Sequence, residues 1–263
     1  MDIRDKRVVL TGAGGGMGSI LASELAKRGA KLALVDANAE ALERVAAGIV
    51  DAHTVTGDLS SASGCQAVAG QCSELLGGID LLINLAGLNS FAAFEDESAE
   101  KIELMMHVNL LAPMWLARAF LPTMLDQNSG RIVNVGSIFG SIGFAYFATY
   151  SATKFGLRGF SEALRRELVD SGVSVTYVAP RAVKTPMNTG PVVRMGKATG
   201  MNMDEPEAVV EKIIASIEND RKDVYLGFPE SLFVRINGLL PRIVDGSLAA
   251  KDRIARKFAK GEK

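Results

Sequence analysis

One stretch, Val8 to Gly18, constrains this chain more than any other. It reads VVLTGAGGGMG. An apolar run, Val8-Val9-Leu10, stops abruptly in a cluster of glycines, and a helical pattern with Ile20, Leu21 and Leu25 begins at once. A strand that ends in glycines and feeds straight into a helix presents the first helical N–H groups and the positive end of the helix dipole, an arrangement that binds a pyrophosphate. The glycines let the backbone turn tightly and approach the phosphates. The spacing of Gly12, Gly16 and Gly18 is T-G-x-x-x-G-x-G rather than the plain G-x-G-x-x-G. Taken alone, the same letters also describe an ordinary strand-to-helix turn.

A second signal stands at the right distance. Asp36 ends the next apolar run, Leu32-Ala33-Leu34-Val35, and lies 18 residues after Gly18. That is near the roughly 20-residue offset of the carboxylate that binds an adenosine ribose. An acid there accepts hydrogen bonds from the ribose hydroxyls and repels a 2′-phosphate, and no Arg or Lys stands in Val35-Asp36-Ala37-Asn38. The competing role is a helix N-cap for the run from Ala39; Asn38 can do that job and leave Asp36 free.

Strand and helix patterns alternate along the chain, which predicts an α/β fold: a single Rossmann-type doubly wound domain with a mainly parallel seven-stranded sheet and helices on both faces. The expected strands are near 7–11, 31–36, 53–57, 80–85, 131–136, 173–179 and 223–227. The expected helices are near 17–28, 39–47, 61–76, 99–125, 151–170 and 206–219, the last opened by Asp204 and Pro206. A dinucleotide-binding catalytic domain over 1–228 is followed by an amphipathic, basic extension over 229–263. The insertion from Lys184 to Asp204 shows no clear periodicity, carries Met187, Met195, Met201 and Met203, and reads as a lid or an irregular loop.

Composition narrows the function classes. A length of 263 residues, 48% of them hydrophobic, suits one large core. A net charge of −1 gives no general drive toward nucleic acid. Cys65 and Cys72 lie two turns apart on one expected helix, roughly 10.5 Å, too far for a disulfide and consistent with free thiols in a reducing cytoplasm. No apolar run approaches membrane-spanning length, and residues 1–7 have no signal-peptide core. His53 and His107 have no second ligand at useful spacing, so no metal site is expected. Trp115 falls on the long expected helix 99–125 and reads as core or subunit interface.

The candidate chemistry lies at the strand ends. Asp58-Leu59 ends the third expected strand; the acid can meet an adenine amino group or cap the next helix. Asn84-Leu85-Ala86-Gly87 ends the fourth, and its small residues let a nucleotide lie across the strand ends. Ser137 ends the fifth, and thirteen residues later comes Tyr150-Ser151-Ala152-Thr153-Lys154. Positions i and i+4 share a helix face, so Lys154 sits beside Tyr150. A free phenol has a pKa near 10. Lowering it by about three units takes roughly 4 kcal/mol of differential interaction, within reach of two cations at a partly dry site.

With these residues assembled, the sequence resembles the short-chain dehydrogenase/reductase family over about residues 5–228. Thr11-Gly12-Ala13-Gly14-Gly15-Gly16-Met17-Gly18 is similar to its cofactor loop. Asn84-Leu85-Ala86-Gly87 is similar to its N-N-A-G. Asn109, Ser137, Tyr150 and Lys154 match its catalytic tetrad, and Pro180 through Thr185 resembles its P-G-x-x-x-T segment. The resemblance implies that Tyr150 is the acid/base and that Ser137 orients the substrate oxygen. It implies that Lys154 binds the nicotinamide ribose and lowers the tyrosine pKa, and that Asn109 holds a water in a proton relay. Thr185 and the backbone at Val183 would fix the carboxamide. It also implies that the 99–125 helix and the Tyr150 helix pack against a second subunit, giving a homodimer or homotetramer. Three positions depart from the pattern: Leu85 for Asn, Gly136 for Ser, and Arg181 for the Gly after Pro180. An arginine there would crowd the nicotinamide pocket or meet an anionic substrate.

The function expected is hydride transfer between NAD and a secondary alcohol or ketone. An NADPH-dependent keto/acyl reductase and a non-catalytic nucleotide sensor are the alternatives. Asp36 disfavours the first and the complete tetrad the second. Ser137, Phe139, Phe144, Tyr150 and Met187, with Phe91 and Phe94, are expected to wall an apolar pocket for a lipophilic alcohol: medium- or long-chain, terpenoid or steroid-like. In the extension, apolar residues at 232, 236, 239, 240 and 243 fall near helical spacing, with Gly238 and Pro241 as interruptions. Residues 251–263 are strongly basic. Such a segment can lie on an anionic membrane surface; the reading favoured from sequence is that it covers the pocket or a neighbouring subunit.

Overall fold

The computed structural model describes residues 1–188 and 190–261. Seven parallel strands form one sheet: β1 (Arg7–Thr11), β2 (Lys31–Asp36), β3 (Ala52–Thr56), β4 (Leu81–Asn84), β5 (Gly130–Val135), β6 (Val173–Ala179) and β7 (Asp223–Tyr225). Their order is β3-β2-β1-β4-β5-β6-β7. β1 pairs with β2 on one side and β4 on the other, Thr11 standing opposite both Val35 and Asn84. The strand order reverses at that point, which opens a crevice above the carboxyl ends of β1 and β4.

Alternate residues of each strand feed two cores. Val8, Leu10, Leu32, Leu34, Leu81, Ile83 and Val133 pack on α1 (Gly16–Lys27) and α8 (Pro206–Glu218) through Leu21, Leu25, Val209 and Ile213. Val9, Ala33, Val35, Leu82 and Ile132 face the other way, onto α3 (Ala62–Leu76), α5 (Ala112–Asp126) and α6 (Ala148–Glu167). The period-two side-chain alternation of a strand places successive residues in opposite cores, so strands covered on both faces read as continuous apolar runs. Cys65 and Cys72 lie buried in α3 as free thiols, pushed up by burial to about 11 and 12, and are therefore poor nucleophiles.

Four stretches differ from expectation. The helix expected over 99–125 is α4 (Ala99–Met106), a π turn at His107–Leu111 and α5. Together they make the one stretch among the described residues, 99–126, long and apolar enough by length and composition to cross a membrane; here it supplies Leu116, Phe120 and Met124 to the second core. The Tyr150 helix begins three residues earlier than expected and ends at Glu167. The 184–204 insertion is not simply irregular: α7 (Gly190–Thr199) occupies its centre, obscured in sequence by Gly190, Pro191, Gly196 and Gly200. The extension forms α9 (Glu230–Leu239) and α10 (Pro241–Ala259). Gly238 lies inside the last turn of α9, whereas Pro241 does not break a helix but starts one, where its missing N–H costs nothing.

Candidate active site

A groove of about 460 Å³ crosses the carboxyl ends of β1, β2 and β4. Gly12, Gly14, Gly15, Gly16, Met17 and Gly18 form one wall; Asp36, Asp58, Leu59, Ala86, Gly87 and Thr185 also line it. Gly12 has φ of +72°, and a Cβ there would stand 2.8 Å from the Ala86 backbone. A Cβ on Gly18 would lie inside the Gly12 carbonyl, so α1 approaches the loop only because position 18 has no side chain. The Thr11 hydroxyl accepts from the backbone N–H groups of Leu85 and Ala86, 3.1 Å each, and ties the β4 exit to the glycine loop.

The Asp36 carboxylate accepts from Gly14 N at 2.9 Å and Asn38 N at 3.0 Å. Asn38 caps α2 (Ala39–Ala46) by accepting from Ala41 N, so Asp36 is not that helix's N-cap and faces the groove. Asp58 accepts from the backbone and hydroxyl of Ser60, which hold its carboxyl below the usual range. The N-cap of α3 is Ser61, not Asp58. Asn84 does not line the groove: it is buried beneath it, donating to Asn134 at 2.8 Å. Asn134 in turn donates to Ser161, which fixes α6 against β4 and β5.

Ser137 and Tyr150 open into a smaller pocket of about 80 Å³ with Pro180, Val183, Thr185 and Met187 on its walls. Lys154 lies one helical turn from Tyr150, its Nζ 5.7 Å from the centre of the phenol ring and donating to the Val135 carbonyl at 3.1 Å. Gly87 faces Lys154 and Asn109 closely: a Cβ there would stand 3.7 Å from Lys154 Nζ and 3.3 Å from Asn109 Oδ1. Burial pushes the Tyr150 phenol up to about 12, against a smaller pull from Ser137, and pushes Lys154 down to about 8. At both groups desolvation is the largest cause, because burial disfavours the charged form of each. The Asn109 side chain is fully engaged within the protein. Its amide hydrogens go to the Leu88 carbonyl (2.9 Å) and the Thr153 hydroxyl (3.2 Å), and its oxygen accepts from Leu88 N (2.7 Å). It pins the β4 exit to α6.

The structure adds three features that sequence reading missed. Thr153 Oγ1 donates to the Tyr150 carbonyl at 2.7 Å and joins that residue to Asn109. The π turn carries Asn109 itself, an insertion of a kind frequent at functional sites. Tyr177 lies fully buried under the serine turn, its hydroxyl donating to the Ser137 carbonyl at 3.2 Å. A Cβ on Gly136 would overlap the Tyr177 ring, so the missing serine side chain at 136 is the space the tyrosine fills. No sequence signal links the residue after β5 to a tyrosine 41 positions later on β6.

Arg181 lines the Tyr150 pocket, but its guanidinium is not a free cation for an anion. Its guanidinium donates to Asp204 at 3.0 and 2.7 Å, to Glu230 at 2.8 Å and to the Phe228 carbonyl at 3.1 Å. A chamber of about 330 Å³ lies next to the Tyr150 pocket and shares Phe139, Phe147, Arg181 and Met201 with it. Ile138, Ile142, Phe144 and Met195 make the chamber apolar, and Val244, Leu248 and Ala255 of α10 close it. Phe91 packs tilted against Phe147, ring centres 4.9 Å apart, whereas Phe94 is 62% exposed and takes no part. Among the described residues no three His, Cys, Asp or Glu side chains could hold a metal ion.

Comparison with known proteins adds to this geometry. Residues 6–192 match the sequence profile of the short chain dehydrogenases. The chain is 33% identical over 258 residues to "Ketoacyl reductase HetN" of Nostoc sp. strain PCC 7120, covering 96% of this chain and 89% of that protein. It is 34% identical over 234 residues to "Epidermal retinol dehydrogenase 2" of Homo sapiens, covering 86% and 74% respectively. A short chain dehydrogenase/reductase from Burkholderia phymatum, solved in complex with NAD, superposes with a TM-score of 0.83 at 25% identity, covering 92% of this chain and 96% of that one.

Proposed function

This chain belongs to the short-chain dehydrogenase/reductase family, and from that premise we propose that it interconverts a lipophilic secondary alcohol and its ketone with NAD(H). The observation that carries the reading is the shared wall: the pocket holding Ser137 and Tyr150 abuts a larger apolar chamber through Phe139, Phe147 and Met201. An apolar body burying about 150 Å² there gains on the order of 4 kcal/mol, which selects lipophilic substrates. Similarity to proteins named as a retinol dehydrogenase and an estradiol 17-beta-dehydrogenase supports the same substrate class.

The groove fits a dinucleotide: glycine backbone and the start of α1 would receive the pyrophosphate, and Asp36 the ribose hydroxyls. A 2′-phosphate would meet the Asp36 carboxylate with no Arg or Lys among the lining residues, which favours NAD over NADP. The nicotinamide accepts or gives the hydride. Ser137 would hold the substrate oxygen and Tyr150 would move its proton. With its proton held up to about 12, the phenol is poised as a donor to a carbonyl oxygen. In the other direction it must first lose that proton, which the ammonium of Lys154 favours when charged.

The test is Tyr150→Phe, which should lower turnover by at least ~10³-fold, within the usual worth of positioned acid/base groups combined with lost orientation. NADH binding, followed by fluorescence, should be unchanged. NAD⁺ and NADP⁺ run in parallel over a series of secondary alcohols complete the test. Turnover that survives in Tyr150→Phe, or falls with alcohol chain length, rejects the reading.

A further inference from the structure

We propose that the elbow between α9 and α10 docks this protein onto an anionic phospholipid surface. The elbow ends in three aliphatic side chains held in water: Leu239 is 82% exposed, Leu240 55% and Ile243 60%. Neighbouring apolar residues of the same two helices point inward, Val234 and Val244 being buried in the cluster behind the chamber. Among the described residues, the outward three are left mostly in water. Contiguous exposed aliphatic surface of this kind marks an interaction site.

Charge identifies the partner. The whole chain carries net charge −1, yet residues 228–261 contain seven Lys or Arg against three Asp or Glu. One of those acids, Glu230, is bound to Arg181. Arg235 precedes Leu239 by four residues on one face of α9. On α10, Arg242, Arg253 and Lys257 recur on the face opposite Val244 and Ala255, and all three are exposed. None of these four cations makes an ion pair among the described residues. Aliphatic tips flanked by free cations suit an interface with hydrocarbon beneath and negative headgroups above, where long basic side chains reach the charged layer. A second copy fits less well, because a two-fold contact at the elbow would set Arg235 and Arg242 against their own counterparts. The inference does not depend on the oxidoreductase reading, since it is read out as binding.

The full-length protein is mixed with vesicles of phosphatidylcholine alone and of phosphatidylcholine with phosphatidylglycerol, then sedimented. The wild type should sediment with the anionic vesicles only, and less so as salt is raised. Neutralising two cations, Arg242→Gln with Arg253→Gln, should weaken binding about 30-fold, from roughly 5-fold per basic residue at such a surface. Leu239→Ser with Leu240→Ser and Ile243→Ser should abolish it, while far-UV circular dichroism and the thermal midpoint stay those of wild type. The single change Leu239→Ser, at the most exposed position, provides the same reading with the least disturbance. A wild type that stays in the supernatant, or variants that sediment as well as wild type, overturn the proposal. So does an elbow variant that binds vesicles normally but falls to a smaller oligomer by light scattering, which would assign the face to a second copy.

Discussion

Replacing Arg181 with methionine keeps a long apolar stem and removes a cation that ties three segments together. Its guanidinium makes a two-pronged contact with Asp204, at the end of the 184–204 insertion, and a third with Glu230, in the first turn of α9. All three side chains are mostly buried, at 16%, 17% and 21% exposure. Asp204 holds the guanidinium's pKa above its ordinary value, as a tightly bonded partner does. Without the arginine, two carboxylates face one another with little water. Breaking a buried pair by removing one partner costs about 3–5 kcal/mol. Partial exposure and the freedom of the insertion to relax reduce this to about 2–3 kcal/mol. Urea denaturation should report that loss, and the triple variant Arg181→Met/Asp204→Asn/Glu230→Gln should recover most of it, since no charge is then left unpaired. Because Arg181 lines both the Tyr150 pocket and the chamber, the single variant should also raise KM for long alcohols more than for short ones. A denaturation midpoint within error of wild type, or a triple variant no better than the single, would refute the reasoning.

Three further outcomes follow from named contacts. Gly136→Ser, the residue usual in the family, should destabilise by about 2–3 kcal/mol because its Cβ overlaps the Tyr177 ring, and adding Tyr177→Val should restore the thermal midpoint. Asp36→Ala with Ala37→Arg should move preference toward NADP⁺ in a comparison of kcat/KM for the two cofactors; a wild type already indifferent between them would sink the argument from the carboxylate. Burial depresses Lys154 from its ordinary value to about 8, so the unfolded chain binds more protons above that pH and stability should rise from pH 8 to 10, by about 2–3 kcal/mol. Above pH 10 the raised phenol of Tyr150 acts in the opposite sense; Lys154→Met should flatten the rise in denaturation curves taken across the range.

The five inner strands were legible because each is covered on both faces, so its apolar run needs no knowledge of neighbours. The groove was legible because its parts are local: a glycine loop, an acid at a fixed offset, small residues after β4. Pairings that cross the chain left no mark in sequence. Nothing near Gly136 predicts that Tyr177 will fill its space. Nothing near Arg181 predicts carboxylates 23 and 49 residues away. The π turn at His107–Leu111 is also invisible, because one extra residue in a helix shifts the period by less than a short window resolves. In α7, glycine and proline at 190, 191 and 196 masked a helix that Met195 anchors in the cluster behind the chamber. For Asp58 the sequence left two roles open, and Ser61 took the capping role because it stands one residue before the helix starts.

The groove that would receive the nucleotide takes its lining from residues no later than Met187, whereas the chamber takes its lining from the 138–147 turn and from positions 181–255. On the proposed reading, the final two helices touch the chamber that would hold the substrate and leave the groove that would hold the coenzyme untouched. A chimera that keeps residues 1–228 and borrows another relative's final two helices would keep its coenzyme while acquiring a new substrate range. Selection can act the same way, adjusting one wall of the chamber from the C-terminal helices while the groove upstream is inherited unchanged.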